Sequence, residues 1–94
     1  MNIRQLLLDV DKARDRPDIT DIAAAIEKVP GVEGLSIVVN EIDMETVGME
    51  ITIEGEDLNY DEIVAAIEKT GAVVHSLDRI LAGKKMITPV HRTR

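Results

Sequence analysis

The 94-residue sequence predicts an α+β sandwich of order βαββαβ, with two helices on one face of a four-stranded antiparallel sheet. Three observations carry that prediction. Leu35-Ser-Ile-Val-Val39 and Met49-Glu-Ile-Thr-Ile53 alternate with period two around a polar turn at Asp43-Met-Glu-Thr46, the pattern of a hairpin of half-buried strands. Apolar stripes at helical spacing stand before and after this hairpin. Finally, Ile22-Ala-Ala-Ala-Ile-Glu-Lys28 returns as Ile63-Val-Ala-Ala-Ile-Glu-Lys69, at an offset of 41 residues.

Residues 3–12 read as the first strand, with Leu6, Leu8 and Val10 on one face and Gln5, Leu7, Asp9 and Asp11 on the other. Ala13 to Pro17 is a polar connection. The first helix is expected over 19–29: Asp18 is an N-cap, Asp21 faces the positive end of the dipole, and Pro30-Gly31 stops it. Ile19, Ile22, Ala23, Ile26 and Val29 form its apolar stripe. After the hairpin, Leu35 to Gly55, a second helix starts behind Asn59, with Glu62 completing an Asn form of the capping box and Gly71 as its stop. Val73 to Leu81 is the fourth strand, closed by Ala82-Gly83. The caps Asp18 and Asn59 obey the same offset as the stripes, which supports an internal duplication of a strand–helix–strand unit. Two such units interlock as the ferredoxin-like split βαβ, and right-handed crossovers order the sheet 4-1-3-2. The domain is expected over 1–83, followed by a basic C-terminal tail, 84–94.

Composition excludes several functions. With no cysteine, disulfides, thiolate metal sites, iron–sulfur clusters and cysteine nucleophiles are all absent. Tyr60 is the single aromatic residue, so the core must be aliphatic and the strands carry no platform for stacking RNA bases. No run approaches the roughly 18 apolar residues of a membrane span. Met-Asn-Ile-Arg-Gln leads straight into a strand pattern, so no signal peptide and a cytoplasmic location are expected. Net charge is −7, but all 18 acids lie within 1–83 against seven bases, while the tail holds Lys84, Lys85, Arg92 and Arg94. An acidic body argues against a nucleic-acid partner.

That topology brings the end of the first strand, the hairpin tip and the start of the fourth strand to one edge. Asp9, Asp11, Glu41, Asp43 and Glu50 meet there, beside Glu45 and with His75 near the same level. Carboxylates crowded in this way must be solvated, protonated or bridged by a cation. Hard cations take clusters of carboxylate oxygens, so these five residues are the candidate ligands of a divalent cation, Ca²⁺ first and Mg²⁺ as the alternative. The same residues also read as a solvated rim, since no EF-hand loop is present and hairpin tips are commonly polar. No catalytic residue is expected. Alternation in an unbroken strand sets Ser76 and Asp78 on the face opposite His75, and Gly83-Lys84-Lys85 lacks the remainder of a phosphate-binding loop. Leu7, Val38, Ile42, Val73 and Leu77 are expected on the helix-free face, forming an apolar patch that self-association would cover. Met86, Ile87 and Val90 suit an arm on a neighbouring copy.

Leu8-Asp9-Val10, Glu41-Ile-Asp-x-Glu-Thr46, Ile51-Thr-Ile-Glu-Gly55, and His75-Ser-Leu-Asp78 followed by Ala82-Gly83 resemble an archaeal family catalogued as domain of unknown function 211. The resemblance runs from Arg4 to about Lys85. It implies a small ferredoxin-like protein that tends to form homo-oligomers, with no established enzymatic activity. A narrower stretch, Asp15-Arg16-Pro17-Asp18-Ile19, is similar to the Asp-Arg-Pro-Gly-Leu of amino-acid-sensing ACT domains, with Asp18 where that family has glycine. It implies, as the alternative function, a sensor binding a small metabolite at a subunit interface.

Overall fold

The computed structural model describes residues 1–88 and has the expected order: β1 (Ile3–Ala13), α1 (Ile19–Glu27), β2 (Val32–Ile42), β3 (Thr46–Gly55), α2 (Tyr60–Lys69) and β4 (Val73–Ala82). The strands form one antiparallel sheet in the order β2-β3-β1-β4, the predicted arrangement read from its other edge. The fold is ferredoxin-like. Val90, assigned to an arm, and the tail bases Arg92 and Arg94 lie outside the described residues.

The core is a single aliphatic layer. Leu6, Leu8 and Val10 of β1 and Met49, Ile51 and Ile53 of β3 lie fully buried on one sheet face, against Ile22 and Ile26 of α1 and Ile63 and Ile67 of α2. The two helical pairs are the duplicated positions of the repeat. At roughly 1.5–3 kcal/mol for each fully buried aliphatic side chain, this layer outweighs every polar contact in the molecule. The caps behave as their residue types dictate. Asn59 Oδ1 accepts the Glu62 amide at 3.0 Å, and Asp21 Oδ2 accepts the Asp18 amide at 3.2 Å. Gly71 takes a left-handed φ of +108° behind α2, where a Cβ would be penalised.

The structure departs from the sequence reading in its edges and bulges. The α1 helix ends at Glu27 rather than Val29, although Val29 stays buried. The hairpin strands extend toward their turn, which closes with the Asp43 amide donating to the Thr46 carbonyl at 2.8 Å. An extra residue in β2, at Asn40, shifts register between Val39 and Glu41, and two extra residues in β4 shift it at His75 and Asp78. Each bulge turns the side chains beyond it to the other face. Ile42 therefore pairs with the core residue Val47, and Leu77 with the core residue Leu8, so neither lies on the helix-free face as alternation predicted. Of the five apolar residues assigned to that face, Leu7, Val38 and Val73 remain. Gln5, Asp9, Asp11, Ser36, Glu50, Thr52 and Glu54 surround them, and the face is mainly polar.

A close backbone approach tightens the junction of the two halves. Gly31 and Gly55 approach so closely that a Cβ on Gly55 would run into the Gly31 carbonyl oxygen, and that same oxygen accepts the Glu56 amide at 3.0 Å. Gly55→Ala should destabilise the fold by about 2–4 kcal/mol in urea denaturation. Gly34→Ala, which meets nothing within 4 Å, should stay within about 0.5 kcal/mol of the parent.

Candidate functional site

Burying Leu8 and Val10 commits Asp9 and Asp11 to the open face of the sheet, because neighbours along a strand point in opposite directions. On β3, Glu50 stands opposite Asp9 and Gly48 opposite Asp11. On β2 the bulge at Asn40 brings Glu41 into register with Gly48. On β4, the bulge at His75 sets its imidazole beside the same group. The result is an open depression of about 390 Å³ lined by Asp9, Asp11, Asn40, Glu41, Gly48 and His75.

Gly48 makes the floor. A Cβ placed there would lie 3.5 Å from Asp11 Oδ1, from Asn40 Oδ1 and from Glu41 Cβ. Three oxygen-bearing side chains from the two strands that flank β3 thus surround a space that any larger residue would fill. No Lys or Arg lines it. Lys12, next along β1, turns to the core side, where it is buried and Nζ donates to the Ala13 and Arg14 carbonyls at 3.1 and 3.3 Å. Among the described residues the one salt bridge, Arg4 to Glu56 at 3.5 Å, joins elements at the far end of the strands.

The five predicted ligands divide. Asp9, Asp11 and Glu41 come together in the depression. Glu50 lies on the same face in register with Asp9 and Val38, but outside the lining. Asp43 is in the turn, where its carbonyl accepts from Arg14 Nη1 at 3.4 Å. As the side chains stand, no three His, Asp or Glu residues among those described are set to hold one ion. A cation there would need the carboxylates to rotate inward to oxygen distances of about 2.3–2.6 Å. Asn40 and Gly48 were missed from sequence. Glycine inside an alternating strand signals a bulge or a close approach, and Gly48 carried that signal. Nothing local distinguished Asn40.

Two other readings can be placed. The Ser76 hydroxyl donates to Asp78 Oδ1 at 2.8 Å rather than to His75, although β4 is not the unbroken strand on which the three were first separated. The segment resembling ACT domains borders a cavity of about 400 Å³ between the start of α1 and Thr70 at the end of α2. There the Asp18 amide is already bonded to Asp21.

Comparison with known proteins identifies a family and adds no chemistry. The family model of domain of unknown function 211, described as uncharacterised ArCR, matches residues 4–94. An uncharacterised protein of Methanocaldococcus jannaschii is 43% identical over 88 residues, covering 94% of this chain and 90% of that protein.

Directly opposed like charges on neighbouring strands are destabilising. Glu50→Gln, which relieves Asp9, should therefore raise stability by about 0.2–1 kcal/mol in chelator at low salt. The gain should shrink at about 1 M salt, where screening acts over about 3 Å. Urea denaturation at the two ionic strengths reads both effects.

Proposed function

The chain belongs to the DUF211 family, and on that premise we propose that it is a non-enzymatic cytoplasmic protein that binds a divalent cation on the open face of its sheet. The observation that carries this reading is the convergence of Asp11, Asn40 and Glu41 over the bare backbone of Gly48, with Asp9 adjacent and no Lys or Arg in the lining. Two aspartates, a glutamate and an amide oxygen form a hard, anionic donor set, which favours Ca²⁺ or Mg²⁺. The open depression suits the larger and less geometrically demanding Ca²⁺. Glu50 and Asp43 would add to the local field without ligating. His75 offers one nitrogen at the margin, a poor donor for either ion.

Such an ion would act on structure rather than on a reaction. It would link β1 to β2 across β3, neutralise a crowded edge, and stabilise the folded chain in proportion to its occupancy. At a free concentration 100 times the dissociation constant the gain is about 2.7 kcal/mol.

Calorimetric titration of chelator-treated protein with Ca²⁺, repeated with Mg²⁺, tests the proposal. Saturable binding of one ion per chain is expected, together with a raised melting temperature. Asp9→Asn with Asp11→Asn should abolish it, and Gly48→Ala should weaken it at least about tenfold with every charge retained, by filling the floor. Asp43→Asn should leave affinity within about twofold. No heat at millimolar ion and an unmoved melting temperature would reduce the cluster to a solvated rim.

A further inference from the structure

The buried row of β1 ends on a lysine. Leu6, Leu8, Val10 and Lys12 share the helix side of the sheet, and Lys12 is only 8% exposed. Its Nζ donates to the Ala13 and Arg14 carbonyls, two bonds of the three an ammonium can make. Among the described residues no carboxylate pairs with it. An ammonium held out of water without a counter-charge is costly, and lysine is rarely buried unless paired. In the strand register Lys12 stands opposite Val47, and Val47 opposite Ile42, so these three form a ladder across β1, β3 and β2. The helical layer is too short to cover the whole sheet. The 11 residues of β1 extend about 36 Å, whereas the nine of α1 span about 14 Å. A groove of about 440 Å³ is left between the start of α1 and the ladder. Ile19, Val39, Ile42 and Val47 wall it, Lys12 lines it, and Asp18 is its one acid.

We propose that this groove binds a small aliphatic monocarboxylate, its carboxylate on Lys12 Nζ and its alkyl chain along Val47 and Ile42. The carboxylate would take the third ammonium hydrogen and supply the missing counter-charge, in a charge-assisted hydrogen bond. The aliphatic walls would take the chain out of water, and the volume falls in the range of small-molecule sites. The same lining discriminates against related ligands. A neutral alcohol gains the apolar contact but leaves Lys12 without a counter-charge. An amine adds a charge of the same sign as Lys12. A second carboxylate at the far end of the chain would be set against aliphatic walls and the negative charge of Asp18. The groove is independent of the acidic depression, because Lys12 and its neighbour Asp11 lie on opposite faces of the sheet.

Titration of the full chain in chelator with butanoate, hexanoate and octanoate, followed by calorimetry and amide chemical shifts, tests the proposal. The expected result is saturable binding of one ligand per chain, about fourfold tighter for each added methylene. Shifts should centre on Lys12, Ile19, Ile42 and Val47. Hexylamine, 1-hexanol and hexanedioate should each bind at least about tenfold more weakly than hexanoate. Lys12→Met keeps the buried stem and removes the charge; it should weaken hexanoate at least about tenfold and leave 1-hexanol within about twofold. Ile42→Asp, at a side chain 63% exposed, retains Lys12 and should weaken both ligands. Equal affinity for hexanoate and 1-hexanol would overturn the proposal, as would hexanoate binding that survives both substitutions. So would shifts confined to the acidic face, or no saturable binding at about 10 mM. Metal is absent throughout, so failure here leaves the cation reading untouched.

Discussion

A single aliphatic layer between one sheet face and two helices governs both the stability and the chemistry of this chain. With Tyr60 its one aromatic residue, the protein must bury Leu, Ile, Val and Met from every element to form a core at all. Alternation then leaves no freedom in what faces the other way. Because Leu6, Leu8 and Val10 are buried, Asp9 and Asp11 are displayed. Because Met49 and Ile51 are buried, Gly48 and Glu50 fall on the opposite face, with Glu50 exposed and Gly48 covered by its neighbours. The acidic face is therefore held in place by the core, and the core can tolerate it only because that face remains in water or is neutralised by a ligand.

How much of this was legible from residues differs by level. Both helices, their caps and their stops follow from local chemistry at Asp18, Asn59 and Gly71, and the duplication supplied a second copy of the same evidence. The topology followed from strand order and crossover handedness. What failed was counting across β2 and β4. A bulge is set by how two strands accommodate each other, and Asn40, His75 and Asp78 carry no local mark of it. One uncounted residue reverses every side chain beyond it, so Ile42 and Leu77 changed face and a supposed apolar patch became a largely polar surface. The site suffered less. Asp9 and Asp11 lie on β1, which is regular where it matters, while Glu41 was rescued by the bulge: counted without it, Glu41 would share the core side with Val39.

These bulges divide the work of the sheet. The bulge in β2 aims Glu41 at the depression and ends the regular run that β2 offers to solvent. The bulges in β4 set His75 beside the same depression and break up the opposite edge. One device thus shapes a concave charged surface and interrupts the regular register of both outer strands. A regular sheet would have flattened the depression and left both edges exposed.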